Sequence, residues 1–288
     1  MAGCRYRTRR RAPSRAVPKS LILVATDLGV LEATTSGGFR AIHQGLAGTG
    51  RISATGPWAR EVAKRYRGED MGIELTLTSS HPTFKLRPLT QAPTLNGGEG
   101  CFPSSIDDLV AHADAEEVYA ECRAQIERII LWGISASNVS VRDGSAWYRP
   151  DLFDAVADLA EEFRLALAIT PAASESRLGY DAYGLATARG VATIAQVIAA
   201  EEDLLATPSA LIAFLEEWAP GAPEGITELP VAFSEDTPEL RAYSERPEVY
   251  AAPLDLDIAE VRRLLGTHGI RLSSYRASTS PEINLPAR

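Results

Sequence analysis

Two carboxylates, Asp27 and Glu74, lie where predicted strands would bring acidic groups together. The apolar run 21–25 is typical of a strand buried on both faces, and Asp27 follows where polar residues begin. In residues 73–78 apolar and polar side chains alternate, so Glu74 shares a polar face with Thr76. Carboxylates in such positions can transfer protons or bind a divalent cation. They are the first candidates for a functional site.

An arginine, Arg142, directly follows a third predicted strand at 139–141. A guanidinium group is a permanent cation that cannot coordinate a metal ion, and it would pair with Asp27 and Glu74. Such pairing would join the three residues in one polar cup in which Arg142 compensates the charge of the carboxylates. A magnesium or calcium site made of the two carboxylates and Asp143 is the alternative, which the positive charge of Arg142 would oppose.

Strands and helices alternate along the chain, which favours a parallel sheet closed into a barrel or wound open. The predicted strands are 21–25, 52–55, 73–78, 139–141, 165–169 and 227–232. The predicted helices are 32–47, 57–67, 115–132, 151–163, 191–205, 208–218 and 258–268, and a long loop is predicted at 80–105. Barrel folds place their sites at the carboxyl ends of the strands, where the cup would lie.

Composition restricts the function classes. The 288 residues are 45% hydrophobic and carry a net charge of −9, while seven basic residues and no acidic one occur in the first 20. The acidic body argues against nucleic-acid binding. No apolar run is long enough to span a membrane and no export signal is evident, so we expect no membrane contact and a cytoplasmic location. Three widely spaced cysteines indicate neither disulfides nor a zinc site.

Several segments resemble the YdjC-like carbohydrate deacetylase family. The segments, in chain order, are the opening strand 21–29, Gly72–Ser79, the Glu-x-x-x-Gln-Ile helix at 121–126, the segment 133–152, and the segments 227–240 and 269–276. The resemblance covers roughly residues 20–276. It implies a distorted TIM-like (β/α) barrel, metal-assisted deacetylation of amino sugars, and a homodimer. We predict one domain at 20–276, flanked by a disordered basic tail at 1–19 and a disordered tail at 277–288.

The chain departs from the family pattern where the family places its general base and metal ligands. Asp27 matches a metal-binding aspartate, but the preceding general base is replaced by Thr26. At the next matching positions the family has histidine, histidine, aspartate and histidine. This chain has instead Glu74, Asn138, Ser140 and Arg142. The family's histidine after Thr227-Glu228-Leu229 is replaced by Ala232-Phe233. None of the four histidines, His43, His81, His112 and His268, falls on a family motif. We therefore expect no metal and no cofactor.

The predicted site consists of pocket residues and surrounding ligand-binding residues. The pocket residues are Asp27, Glu74 and Arg142, and the binding residues are Thr26, Thr76, Asn138, Ser140, Trp147 and His81. Three hypotheses follow. The protein is a deacetylase relative that has lost metal chemistry and binds a small molecule, an enzyme repurposed for metal-independent acid–base, isomerisation or cyclisation chemistry, or a metal-dependent N-deacetylase of an amino sugar whose ligands lie elsewhere.

Overall fold

The computed structural model describes residues 18–172 and 179–279, which form a curled parallel sheet surrounded by helices. Its strands are β1 (Lys19–Leu28), β2 (Thr49–Ile52), β3 (Met71–Leu75), β4 (Ala136–Val141), β5 (Ala166–Leu167), β6 (Gln196–Val197), β7 (Gly225–Val231) and β8 (Arg271–Leu272). The predicted tails lie outside the described residues up to position 17 and from position 280 onward. None of the helices described is both long and apolar enough to span a membrane.

Helices connect most of the strands. They are α1 (Glu32–His43), α2 (Ala59–Arg65), α3 (Ile106–His112), α4 (Ala115–Leu131), α5 (Pro150–Glu162), α6 (Ala182–Ala188), α7 (Glu202–Leu205), α8 (Pro208–Trp218), α9 (Pro238–Tyr243), α10 (Glu248–Ala251), α11 (Ile258–Thr267) and α12 (Tyr275–Thr279). Short 3₁₀ turns occur at Pro93–Leu95, Arg142–Tyr148, Ala219–Gly221 and Ala252–Asp255.

The strand order is β5-β4-β3-β2-β1-β7-β6, and β8 pairs with the start of β1. Every pair of strands is parallel. The segment 192–195 links the two ends of the sheet. Its Ala192 O accepts from Leu167 N of β5 at 2.8 Å, and its Ala195 N donates to Ile226 O of β7 at 2.8 Å. The predicted distorted TIM-like α/β barrel is thus confirmed as a curled, half-barrel sheet.

The central strand β1 separates two apolar regions. Leu21, Leu23 and Ala25 belong to the main core, whereas Ile22 and Val24 lie in a smaller cluster inside the curled sheet. Successive residues of a strand point to opposite faces, which explains this division. Much of the inner face is polar instead, and its buried polar members on β2, β4 and β7 include Thr49, Arg51, Asn138, Ser140 and Glu228.

Most predicted elements occur within a few residues of their expected bounds, but the helix predicted at 191–205 is wrong. Only Glu202–Leu205 of that range is helical, and Gln196–Val197 form the short strand β6. The backbone around this strand bonds to the sheet on both sides: Ile194 N donates to Ile169 O at 3.3 Å and Ile198 N to Glu228 O at 2.8 Å. Pairing with neighbouring strands thus outweighs the local preference of this alanine-containing segment for a helix.

Helix α4 holds both β3 and the long loop 80–105 through two buried side chains. The amide of Gln125 accepts from Thr76 N and donates to Thr76 O, each at 2.8 Å, which fixes the chain where β3 ends. The buried carboxylate of Glu121 accepts from Leu89 N at 2.9 Å and from Thr90 N at 2.9 Å. The long loop is therefore attached to the same helix that positions the strand bearing Glu74.

We predict that Glu121→Ala destabilises the protein by about 3 kcal/mol, because several partly buried donors of the loop lose their acceptor. Glu116→Ala is the matched control, since this carboxylate lies exposed on the same helix. Urea denaturation measures both changes. Equal stabilities of the two variants would contradict the anchoring role of Glu121.

Candidate functional site

The cup lies at the carboxyl ends of three strands. Asp27 is near the end of β1, Glu74 is on β3, and Arg142 directly follows β4. Nη2 of Arg142 donates to Oδ1 of Asp27 and, at 2.6 Å, to Oε2 of Glu74. The side chains are 19%, 18% and 12% exposed for Arg142, Asp27 and Glu74 respectively. The guanidinium group thus bridges two carboxylates that solvent still reaches.

Unusual backbone conformations position two of the acidic residues. Asp27 has φ 59° and Asp143, which follows Arg142, has φ 56°. Positive φ is sterically unfavourable for residues other than glycine and persists where the surroundings impose it. At Asp27 the carbonyl oxygen accepts from Thr34 Oγ1 at 2.8 Å and from Val30 N at 3.1 Å. These bonds fix the turn that directs the Asp27 side chain toward Arg142.

Burial and charge have opposing effects on the cup residues. Burial raises the pKa of Glu74 above its ordinary value of 4.5, the charge of Arg142 opposes this rise, and the negative charge of Asp27 reinforces it. Burial alone would lower the pKa of Arg142, but the charges of Asp27 and Glu74 outweigh it and the pKa is raised. Arg142 therefore stays protonated, and Glu74 holds a proton more readily than an ordinary carboxylate.

A second charged layer lies deeper inside the curled sheet. Arg51 on β2 donates from Nη1 to Oε2 of Glu228 at 3.0 Å and from Nε to Oδ1 of Asn138 at 3.1 Å. The hydroxyl of Tyr275 donates to Glu228. Gly72 makes room for this layer, because a Cβ at that position would lie 2.1 Å from Asn138 Oδ1. Burial alone would lower the pKa of Arg51, but the charge of Glu228, together with its hydrogen bond and the charges of Tyr275 and Glu74, outweighs burial and the pKa is raised.

The structure brings some of the predicted binding residues to the cup. Ser140 pairs with Glu74 in the β3–β4 register, and its buried hydroxyl has no hydrogen-bond partner among the described residues. Thr26 precedes Asp27 and is half-buried. The Thr76 hydroxyl bonds to Ser53 Oγ at 3.1 Å. Asn138 instead belongs to the deeper Arg51 layer.

The two predicted aromatic residues have different surroundings. Trp147 packs in the core with its ring against Phe153, at 5.9 Å between ring centroids. His81 lies in a cleft and stacks on Tyr243 at 4.3 Å. Its Nε2 donates to Tyr243 O at 2.9 Å and its Nδ1 accepts from Phe84 N at 2.8 Å. Both ring nitrogens of His81 are therefore used to hold the loop.

Sequence reasoning missed two tyrosines near the cup, Tyr243 and Tyr250. Burial raises the pKa of both hydroxyls, and the charge of Asp27 contributes next, which places both near the cup. The rings contact each other edge to face at 6.4 Å. Both line the cleft that contains His81, and the volume of this cleft is about 580 Å³. They come from α9 and α10, far along the chain from Asp27, so only the fold shows their proximity.

The residues present do not fit a divalent metal ion. Such an ion needs several imidazole nitrogens or anionic oxygens directed at one point. In the described ranges no group of three or more His, Cys, Asp or Glu side chains could hold one, and the carboxylate-only site with Asp143 is not formed. Asp27 and Glu74 instead both accept hydrogen bonds from the guanidinium group of Arg142.

A curled parallel sheet surrounded by helices defines an α/β barrel-type protein. Barrel proteins carry their functional sites at the carboxyl ends of the strands, which is where the cup lies. Within this class the chain belongs to the YdjC-like proteins, whose family model matches residues 20–261.

Individual relatives agree with this assignment. Over 145 residues the chain is 39% identical to a carbohydrate deacetylase of Thermus thermophilus, covering 50% of this chain and 51% of the relative. A carbohydrate deacetylase of Listeria innocua is 29% identical over 153 residues, which are 51% of this chain and 59% of the relative. The matches thus span little more than half the length of these curated relatives.

A crystal structure from Enterococcus faecalis V583, of a proposed cellobiose-phosphate cleavage protein, has the same fold. It superimposes with a TM-score of 0.73 at 22% identity, covering 90% of this chain and 98% of that chain. At this identity the likeness concerns the fold alone.

We predict that Arg142→Ala destabilises the protein by roughly 3 kcal/mol, because two partly buried carboxylates lose their shared counter-charge. Arg189→Ala is the matched control: Arg189 also bridges two carboxylates, Asp154 and Asp158, at 2.6 Å each, but on the surface. Its loss should cost less than about 1 kcal/mol. An unchanged melting temperature of Arg142→Ala would contradict the ion-pair account.

The raised pKa of Glu74 predicts a pH dependence. Above pH 4.5 the folded protein retains this proton while the unfolded chain has released it, so the contribution of Glu74 to stability is present below pH 4.5. That contribution is lost as the pH rises through the folded-state pKa. Compared with Glu74→Gln, the wild-type protein should therefore lose stability as the pH rises from 4.5. Urea denaturation from pH 4 to 8 checks this, and a relative gain with rising pH would contradict it.

Proposed function

We propose that this YdjC-like protein has lost metal-dependent deacetylation and that its cup is a metal-free binding site for a small polar molecule. The single observation that carries the proposal is the bridge from Nη2 of Arg142 to both Asp27 and Glu74. A guanidinium between two carboxylates supplies the positive charge that a cation would otherwise supply. Its five N–H groups can donate hydrogen bonds, but the group has no lone pair with which to coordinate a metal ion.

Unused polar atoms support ligand binding at the cup. No described residue donates a hydrogen bond to Oδ2 of Asp27 or Oε1 of Glu74. Among the described residues, the buried side-chain atoms without a hydrogen-bond partner are Thr78 Oγ1, Ser140 Oγ, Arg142 Nε and Ser145 Oγ. Neither of the two carboxylate oxygens belongs to this set. The two free oxygens are therefore in contact with solvent. A cleft of about 580 Å³, lined by Tyr243 and Tyr250 but by none of the cup residues, has a size that suits a small-molecule ligand.

A second candidate function is metal-independent acid–base catalysis in the same cup. The observation that favours it is the raised pKa of Glu74 combined with a free, solvent-accessible carboxylate oxygen. Such a carboxyl group can exchange a proton with a bound substrate closer to neutral pH than an ordinary glutamate can. This chemistry requires a substrate whose reacting atom lies within hydrogen-bonding distance of Glu74.

Acetate release tests the loss of deacetylation. The wild-type protein and Asp27→Asn are incubated with N-acetylglucosamine and its dimer in the presence of zinc, manganese or magnesium. We expect both proteins to release no more acetate than the enzyme-free blank, because Arg142 occupies the space between the carboxylates. A carbohydrate deacetylase with intact activity verifies the assay.

Metal-stimulated acetate release by the wild type that Asp27→Asn abolishes would overturn the proposal. It would restore the third hypothesis, that of an N-deacetylase like the curated relatives, with ligands outside the expected positions.

A further inference from the structure

A second cavity lies at the amino ends of the strands, at the opposite end of the sheet from the cup. Its volume is about 380 Å³, and its lining includes the starts of β1, β7 and β8 and the segment 190–193. The strand register places Ser20 of β1 beside both Ile226 of β7 and Arg271 of β8. Successive residues alternate between faces, so Ser20 shares the inner face of β1 with Ile22. We call this space the amino-end cavity.

Arg271 brings to this cavity a positive charge that no carboxylate neutralises. Its side chain has neither an ion pair nor a hydrogen bond with another residue of the ranges 18–172 and 179–279. None of the described residues that line the cavity is an aspartate or a glutamate. The chain as a whole carries a net charge of −9, so this lining differs from the acidic character of the protein. An anion in the cavity would pair with the free guanidinium group.

Two hydroxyl groups give a second, independent indication of a ligand. Ser20 is only 4% exposed, yet its Oγ bonds to no described residue. This oxygen is not among the enclosed atoms without a partner, so its remaining accessible surface opens into the cavity. The hydroxyl and the backbone N–H of Thr193 also lack a partner among the described residues. Buried hydroxyl groups nearly always have a partner, so we expect these donors to bond to a molecule that enters the cavity.

The charge and the walls of the cavity restrict the ligand class. One free guanidinium group balances the single charge of a carboxylate, whereas a phosphate monoester carries about −1.5 to −2 at pH 7. The planar fork of N–H groups on arginine also matches the two oxygens of a carboxylate. Pro18, Val191 and Ile226 add apolar surface to the same cavity, against which a hydrocarbon group can pack.

We propose that the amino-end cavity is a second binding site, which takes a small monocarboxylate with an apolar body. The carboxylate accepts hydrogen bonds from the guanidinium of Arg271, from the hydroxyl of Ser20 and from Thr193. The amino end of a barrel ordinarily serves stability, but donors without partners do not stabilise a fold, and binding gives them a function. This inference concerns the end of the sheet opposite the cup and does not depend on the function proposed for the cup.

Ligand-observed NMR titration of the full chain tests the ligand class. The probes are butyrate with butyramide, hexanoate with hexanamide, and benzoate with benzamide, and the members of each pair differ in the carboxylate. We expect at least one carboxylate to bind about tenfold more tightly than its amide, since hydrogen bonds between charged groups are the stronger ones. Inorganic phosphate is the comparison anion and should bind more weakly than that carboxylate.

Three variants locate the bound carboxylate. Arg271→Gln should weaken its binding about tenfold, because the carboxylate loses its counter-charge. Thr193→Val should cause a smaller loss, because one hydroxyl donor is removed. Arg263→Gln is the matched control: this arginine lies exposed on α11, its side chain does not line the cavity, and its loss should leave the affinity unchanged. Circular dichroism confirms that each variant is folded.

Binding of no carboxylate, equal affinities for every carboxylate and its amide, or tighter binding of phosphate would each overturn the inference. Carboxylate binding that Arg271→Gln leaves unchanged would also overturn it, because the ligand would then lie elsewhere, for example beside Arg142 in the cup. Metal-stimulated acetate release is measured separately, so failure of this inference is distinguishable from failure of the proposed function.

Discussion

The structure of the site depends on one interaction, the bridge of Arg142 between Asp27 and Glu74. Asp27 on β1 and Glu74 on β3, two strands separated by β2, carry carboxylates that repel each other, and burial increases the cost of charging them. The guanidinium removes that repulsion and supplies hydrogen bonds to both. It also occupies the point at which a divalent cation would have to lie. One side chain thus stabilises the cup and is the basis of the proposed loss of metal-dependent deacetylation.

The rest of the fold holds this bridge in place. Gln125 fixes the end of β3 through the backbone of Thr76, and Arg51 and Glu228 form a paired layer beneath the cup. The left-handed backbone at Asp27 turns its carboxylate toward Arg142. The contacts of Gln125 and of the Arg51–Glu228 pair are buried and polar. Such contacts cost free energy when incomplete and fix a defined geometry when complete.

Sequence reasoning predicted the alternating strands and helices because apolar runs are a local pattern. It predicted Asp27, Glu74 and Arg142 as a site because these residues stand at motif positions of the YdjC-like family. It did not find the Arg51–Glu228–Tyr275 layer, since β2 was predicted three residues too late and strand alternation could not place Arg51 inside. Tyr243 and Tyr250 come near Asp27 only through packing of helices distant in the chain, for which the sequence holds no local signal. Trp147 was expected near the ligand and packs in the core instead.

The most direct test of the central claim is the metal content of the purified wild-type protein. The protein is incubated with zinc, manganese or magnesium, passed through gel filtration, and measured by elemental mass spectrometry. The account predicts far less than one metal ion per chain for each metal, because Arg142 fills the space between Asp27 and Glu74. Close to one ion per chain would contradict it and would require metal ligands outside the cup described here.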